Sequence, residues 1–467
     1  MAWSEVLVRD ERLAPKGWPA KLRHRRSKKV SRWHDDWVRR TEPSTEYRPD
    51  GRRDGTDYPL HAVDVDAPLS AQADFDRRVR EIDGRDPDTG RHLPEPDAAE
   101  RWRGAVLASV TGDALGHAVN TGATHTVKWQ PGRKLPDEHS LYEYTFRGTA
   151  EPSAVTQLLA FTLEGIIRGG VAHRIPGGDT DPKSVVQHAY QRWLHTQPTP
   201  EGQRRSWKHC GPYAAPEPDG WLVGVDSLRR DGAPHPDTVA ALENFARTGE
   251  HSRLRAMRAH ARGSEVVPRA AMAAVCADDP AEVFAAAVHI AVLTHSSPDD
   301  CLAAGTLAVI LHQQIRDQPF HDCLTTARAH LERWPRNARM LRKIELALIM
   351  NQDYWVPTTP ENIRKPFGDG GRDGAEALGL GLYCAMASDY VREALQLAMN
   401  YSAHRTVAGA ITGMLIGAEC GVRAIPADLR AAVPLAEVVD TLAQDALTEY
   451  SPNPPTNEGW LHRYPAS

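Results

Sequence analysis

The stretch that most restricts how this chain can fold is Asn400–Gly421, NYSAHRTVAGAITGMLIGAECG. Val407, Ile411, Met414, Leu415 and Ala418 recur at helical spacing and predict a helix with a buried face. Gly409, Gly413 and Gly417 lie in the same stretch. Each interior glycine costs a helix about 1 kcal/mol relative to alanine. A helix that keeps several is expected at the centre of a bundle, where neighbouring backbones approach closely. Asn400 to Arg405 read as a polar turn leading into it. The first N–H groups of such a helix suit an anion, or ligands arranged around one.

A second apolar helix studded with small residues runs from Ala98 to Gly116 and ends in GDALG. Asp113 there either locks the helix turn through side-chain hydrogen bonds or lines a cleft. Residues 121–150, with Gly122, Pro131, Gly132, Pro136 and Gly148, read as a loop. A third helix opens at Glu151-Pro152-Ser153, with Pro152 in first-turn position, and continues to Arg168. Further helices are expected around Val186, Tyr190 and Trp193, over Pro280–Leu293 and Cys301–Gln314, within 316–372, and over Ala375–Met386 and Val391–Met399. Trp221 and Leu228 are expected to cover the core edge. The residues after Tyr450 show no periodicity and read as an irregular arm.

Residues 1–97 differ in character. Lys16–Arg40 is densely basic, with Trp18, Trp33 and Trp37 interleaved. Such a stretch serves a protein partner or self-association, a solvated arm, or nucleic acid. A net charge of −5 argues against nucleic acid as the main partner. Residues 41–97 read as a linker with a short helix at 71–82. The domain reading is therefore an arm and linker over 1–97, a helical domain over 98–435, and a C-terminal helix and tail over 436–467. No apolar run approaches the ~20 residues of a membrane span, and the N-terminus lacks a signal-peptide core. Six cysteines are scattered without metal-like spacing, so buried free thiols in the cytoplasm are expected.

The helical stretches resemble, in order, the motifs of the ADP-ribosylglycohydrolase superfamily, of the dinitrogenase reductase-activating glycohydrolase type. Arg103 to Gly116 matches the opening helix. Ser153, Thr156, Gln157, Phe161, Thr162, Glu164, Gly165, Ile167 and Arg168 match the second motif without a gap. Thr294-His295-Ser296-Ser297-Pro298 resembles a later one. Asn400, Ser402, Gly409, Ala410, Ile411, Gly413 and Gly417 match the last. The resemblance covers roughly 98–430. It implies an all-α, compact orthogonal helical bundle with a cleft at the helix ends, preceded by an irregular extension.

The resemblance also implies two Mg²⁺ ions that hold the ribose of an ADP-ribosyl substrate. Hard cations of this kind need anionic oxygen ligands. Here the paired aspartates of the second motif are Ala154 and Val155, and those of the last are His404 and Thr406; the motif's threonine is Ala408. The glutamate after the opening helix is Asn120. Residues 262–269, RGSEVVPR, keep only Gly263 and Arg269 of a glycine-rich diphosphate loop. Glu265 adds charge where phosphate would sit, a repulsion on the order of a few kcal/mol at about 4 Å. Arg269 either pairs with an anion or braces Glu265.

The expectation is a degenerate member with no metal site and no cofactor, lacking hydrolase activity and acting as a binding or assembly module. Its partners would be a protein or a second copy reached through the N-terminal arm, with an ADP-ribose-like ligand as a further possibility. The alternative is an enzyme with metal-independent chemistry on a nucleoside, glycoside or ADP-ribosyl substrate. Asp113, His117 and His404 are its catalytic candidates, since a His–Asp pair can transfer protons without metal. Ser153, Thr156, Arg269, His295 and Arg405 are the ligand-binding candidates; His295 could equally be a capping or core histidine.

Overall fold

The computed structural model describes residues 80–466, apart from 82–83, 86–90, 130–140, 177, 179–180, 200, 204, 212–216, 253–262 and 352–358. The basic tryptophan-bearing arm and the expected helix start at 71–79 lie outside the described residues. So does the stretch 353–357, which the sequence reads as an aromatic loop within 316–372.

The chain begins its core with α1 (Ala98–Thr121), followed by the hairpin β1 (Thr124–Trp129) and β2 (Leu141–Phe146). Next come α2 (Ala154–Arg174), α3 (Pro182–Thr196), short 3₁₀ turns, α4 (Pro236–Thr248) and α5 (Val266–Ala270). The long buried pair α6 (Pro280–Val292) and α7 (Pro298–Ile315) precedes α8 (Phe320–Leu331), α9 (Ala338–Met350) and α10 (Pro360–Phe367). The chain returns to the centre through α11 (Gly374–Met386), α12 (Val391–Tyr401) and α13 (Arg405–Cys420). It ends in α14 (Ala427–Ala431), α15 (Ala436–Glu449) and α16 (Glu458–Arg463). The fold is all-α, with the two-stranded hairpin as the sheet among the described residues.

The axis of the bundle is the α1/α13 pair, and α13 uses its glycines as expected. A Cβ on Gly409 would stand 2.3 Å from the Gly112 carbonyl oxygen, and one on Gly417 would stand 2.2 Å from that of Gly104. Gly413 faces the Ala108 carbonyl oxygen at 2.1 Å in the same sense. With no side chain between them, the two backbones touch over several turns. Both helices are buried nearly all round rather than on one face.

Several assignments differ from the sequence reading; α1 and α2, for example, run on past Gly116 and Arg168 to Thr121 and Arg174. Residues 121–150 contain a hairpin, because Thr124–Trp129 and Leu141–Phe146 are rich in β-branched and aromatic residues. It is docked by two side-chain amides one helical turn apart on α12. Gln396 accepts from the Tyr144 N–H and donates to its carbonyl, both at 2.9 Å. Asn400 does the same for Tyr142, at 2.8 and 2.7 Å. The turn before α13 is shorter than Asn400–Arg405, since Asn400 and Tyr401 finish α12 and Arg405 begins α13. The third helix starts at Ala154 with Ser153 as N-cap, leaving Pro152 outside it. The tail is not wholly irregular: Asn457 caps α16, and Tyr464 is buried with its hydroxyl donating to Asp445.

All six cysteines are free; Cys210, Cys301, Cys323 and Cys384 are buried, and Cys276 and Cys420 are partly so. Leu228 is buried and Trp221 packs at the core edge. Among the described residues no helix is long and apolar enough to cross a membrane.

Candidate functional site

The ends of α1, α2, α5 and α13 and the turn before α11 surround a cleft of about 420 Å³. Its lining includes His117, Asn120, Ser153, Ala154, Val155, Glu265, His404 and Thr406. Five positions where the family resemblance expects carboxylates, namely 120, 154, 155, 404 and 406, therefore face one space. They present an amide, a methyl, an isopropyl, an imidazole and a hydroxyl.

Asp113 does not line this cleft. It is fully buried beneath it and accepts four hydrogen bonds from the start of α2. The Ser153 and Thr156 hydroxyls donate at 2.6 and 2.7 Å, and their backbone N–H groups at 3.0 and 3.2 Å. Burial pushes its carboxyl up, against the pull of these hydroxyls. Ser153 Oγ also accepts from the Val155 N–H, and the Ala154 N–H donates to the Gly232 carbonyl at 2.7 Å. The first three N–H groups of α2 are thus all used inside the protein. Asp113 locks α1 to α2, and Ser153 and Thr156 are spent on that lock.

His404 is the N-cap residue of α13 without a capping side-chain bond, and its own N–H donates to Ser402 Oγ at 2.8 Å. Gly371 packs against it; a Cβ there would stand 2.7 Å from the His404 Cβ. Burial lowers the His404 imidazole pKa. Asp113 makes its hydrogen bonds to Ser153 and Thr156 rather than to His404, so the two do not form a His–Asp pair. His117 lines the same cleft. Arg405 turns away from its centre: its Nε donates to the Met399 carbonyl at 2.9 Å and its Nη1 to Asn120 Oδ1 at 3.2 Å.

Glu265 is the one carboxylate among the described residues lining the cleft. A chain of buried groups holds it from behind. Arg269 Nη2 donates to Thr294 Oγ1 at 2.5 Å, Thr294 Oγ1 meets His295 Nδ1 at 2.9 Å, and His295 Nε2 meets Glu265 Oε1 at 2.9 Å. Arginine can only donate, so the threonine hydroxyl is free to donate onward to Nδ1. That places the imidazole proton on Nε2, aimed at Glu265. Burial lowers the His295 pKa, in keeping with a neutral ring. Thr238 Oγ1 also donates to Glu265 Oε1, at 3.2 Å. Burial pushes the Glu265 carboxyl up, but the electrostatic pull and hydrogen bond of His295, with smaller pulls from His235 and Arg269, outweigh it and hold it at about 2.

Two candidates thus find their places. His295 is a buried support behind the cleft wall, and Arg269 reaches Glu265 only through Thr294 and His295, its ring neighbour being Tyr190 at 5.5 Å. Asp300, which the sequence reading passed over, lies in the same region. It accepts from the N–H groups of Gly374 and Gly263 at 2.6 and 3.1 Å, and burial pushes its carboxyl up to about 8. Its partners lie far apart in the chain, so no local signal marks it.

A pair of Mg²⁺ ions does not fit this lining. Magnesium needs several hard oxygen donors in near-octahedral geometry, and Glu265 offers one carboxylate already engaged by His295. Among the described residues no three His, Cys, Asp or Glu side chains group as a metal site.

The sequence model of the ADP-ribosylglycohydrolase family matches residues 94–456, well over half of the chain. A solved structure described as an ADP-ribosylglycohydrolase-related protein complex is 18% identical, with a TM-score of 0.49, covering 74% of this chain and 96% of that one. No curated protein sequence matches the chain.

Proposed function

The chain belongs to the ADP-ribosylglycohydrolase family, and from that premise we propose that it is a member that binds in its cleft without metal-dependent hydrolysis. One observation carries this reading: Asn120, Ala154, Val155, His404 and Thr406 converge on a single cleft whose one carboxylate among the described residues, Glu265, is braced from behind. Hydrolysis of a glycosidic bond without metal ordinarily uses two carboxyl groups, one on each side of the bond. The described lining supplies one. The alternative His–Asp pair loses its acid, since Asp113 is committed to Ser153 and Thr156.

In this reading the bundle is a binding or assembly module, and the basic stretch Lys16–Arg40 supplies the contact for a protein partner or a second copy. The test is calorimetric titration of the full chain with Mg²⁺ and Mn²⁺, paired with an assay of ADP-ribosyl-arginine cleavage. No ion uptake and intact substrate are expected. Micromolar Mg²⁺ binding together with release of ADP-ribose would overturn the reading.

A further inference from the structure

The way Glu265 is held indicates what the cleft can take. Oε1 is saturated by His295 Nε2 and Thr238 Oγ1. His235 Nδ1 stands 3.7 Å from Oε1 but accepts from the Asp237 N–H, so it brings no proton to the carboxylate. Oε2 accepts no hydrogen bond from a described residue, and the side chain is 13% exposed. The absence of a Cβ at Gly263 makes room for it; an alanine Cβ there would stand 2.2 Å from Oε2.

Among the described residues, the cleft therefore presents one ionised carboxylate oxygen that accepts no hydrogen bond. A single oxygen suits a compact ammonium better than a guanidinium fork, which gains most from two. The rest of the lining is mostly neutral. Asn120 gives its Oδ1 to Arg405 and keeps its amide N–H groups, and Thr406 brings a hydroxyl. His117 and His404 bring imidazoles, while Arg372 stands 73% exposed near Asp369. Neutral donors and acceptors of this kind match hydroxyl groups.

We propose that the cleft binds a small hydroxylated primary amine, such as an amino sugar, with its ammonium on Glu265 Oε2 and its hydroxyls on Asn120, Thr406 and the two histidines. A diphosphate would meet the carboxylate instead of the glycine-rich backbone it needs. This inference rests on the reading of the cleft as a binding site.

The experiment uses three probes of similar size: D-glucosamine, D-glucose and D-glucose 6-phosphate. Each is titrated into the full chain slightly below neutral pH, where the amine is protonated. Glucosamine is expected to bind at least about tenfold more tightly than glucose, and the phosphate more weakly than either. Glu265→Gln is expected to abolish the preference of glucosamine over glucose. The ratio in the unaltered protein stands independently of whether that variant folds. Equal binding of glucosamine and glucose, tighter binding of the phosphate, or no glucosamine binding at about 10 mM would overturn the proposal. Those results leave the absence of hydrolysis untouched, which the Mg²⁺ titration and cleavage assay decide separately.

Discussion

Gly112 and Gly409 stand so close that the carbonyl oxygen of each occupies the space where the other's Cβ would be, at 2.1 and 2.3 Å. Backbone atoms cannot swing aside as a side chain can, so Gly409→Ala must push α13 off α1. The substitution is expected to cost about 3 kcal/mol or more, in the range of strong overpacking. Gly169→Ala is the matched control. Gly169 lies inside α2 with nothing near its Cβ direction, so alanine should stabilise by about 0.5–1 kcal/mol. Denaturant unfolding of both variants checks the contrast.

Asp113 is read as a lock between helices rather than as a catalytic acid. Asp113→Ala leaves the Ser153 and Thr156 hydroxyls and two N–H groups without their acceptor in a buried place. A loss of about 3–5 kcal/mol is expected, as for breaking a buried charged network. Ser153→Ala removes one hydroxyl from that lock and the cap on Val155, and should cost about 1–2 kcal/mol. Thermal unfolding measures both, and hydrogen exchange at the start of α2 should quicken in each.

Asp300 gives the protein a pH dependence of definite sign. Its folded pKa of about 8 lies above the unfolded value near 3.8. Between those values the folded state binds more protons than the unfolded one, so stability falls as pH rises. The contribution is fully present below about pH 4 and lost by the time the folded group ionises. Asp300→Asn should flatten this slope, while costing about 1–3 kcal/mol because its amide nitrogen would face a backbone N–H of Gly263 or Gly374. Urea unfolding across pH 5 to 9, an interval chosen to lie about the upper half of that window, compares the two.

Carboxylates restored at the four aspartate positions should restore a metal site. Ala154, Val155, His404 and Thr406 share one cleft, so Ala154→Asp, Val155→Asp, His404→Asp and Thr406→Asp together would place four carboxylates around it. The combined variant is expected to bind Mg²⁺ by calorimetry where the unaltered protein does not. A variant that folds and still ignores Mg²⁺ would show that the backbone around the cleft has moved too far to hold the ions.

The sequence by itself determined the main helices of the bundle, their order and the central place of the glycine-bearing one. Glycine spacing along Asn400–Gly421 states a close approach, and which residue types can or cannot supply anionic oxygen is fixed by the side chain alone. The same holds for the blank positions: alanine and valine carry no ligand atom in any fold. Tertiary structure decided what each polar group is for. Asp113 lies in α1 and Ser153 caps α2, Glu265 meets His295 and Thr238 across long stretches of chain, and Asp300 meets Gly263 and Gly374. The hairpin was hidden for a similar reason, since Gln396 and Asn400 hold its edge from far along the chain. A hydrogen bond or a shifted pKa belongs to a meeting of groups, and periodicity along one segment carries no information about which distant segment arrives to meet it.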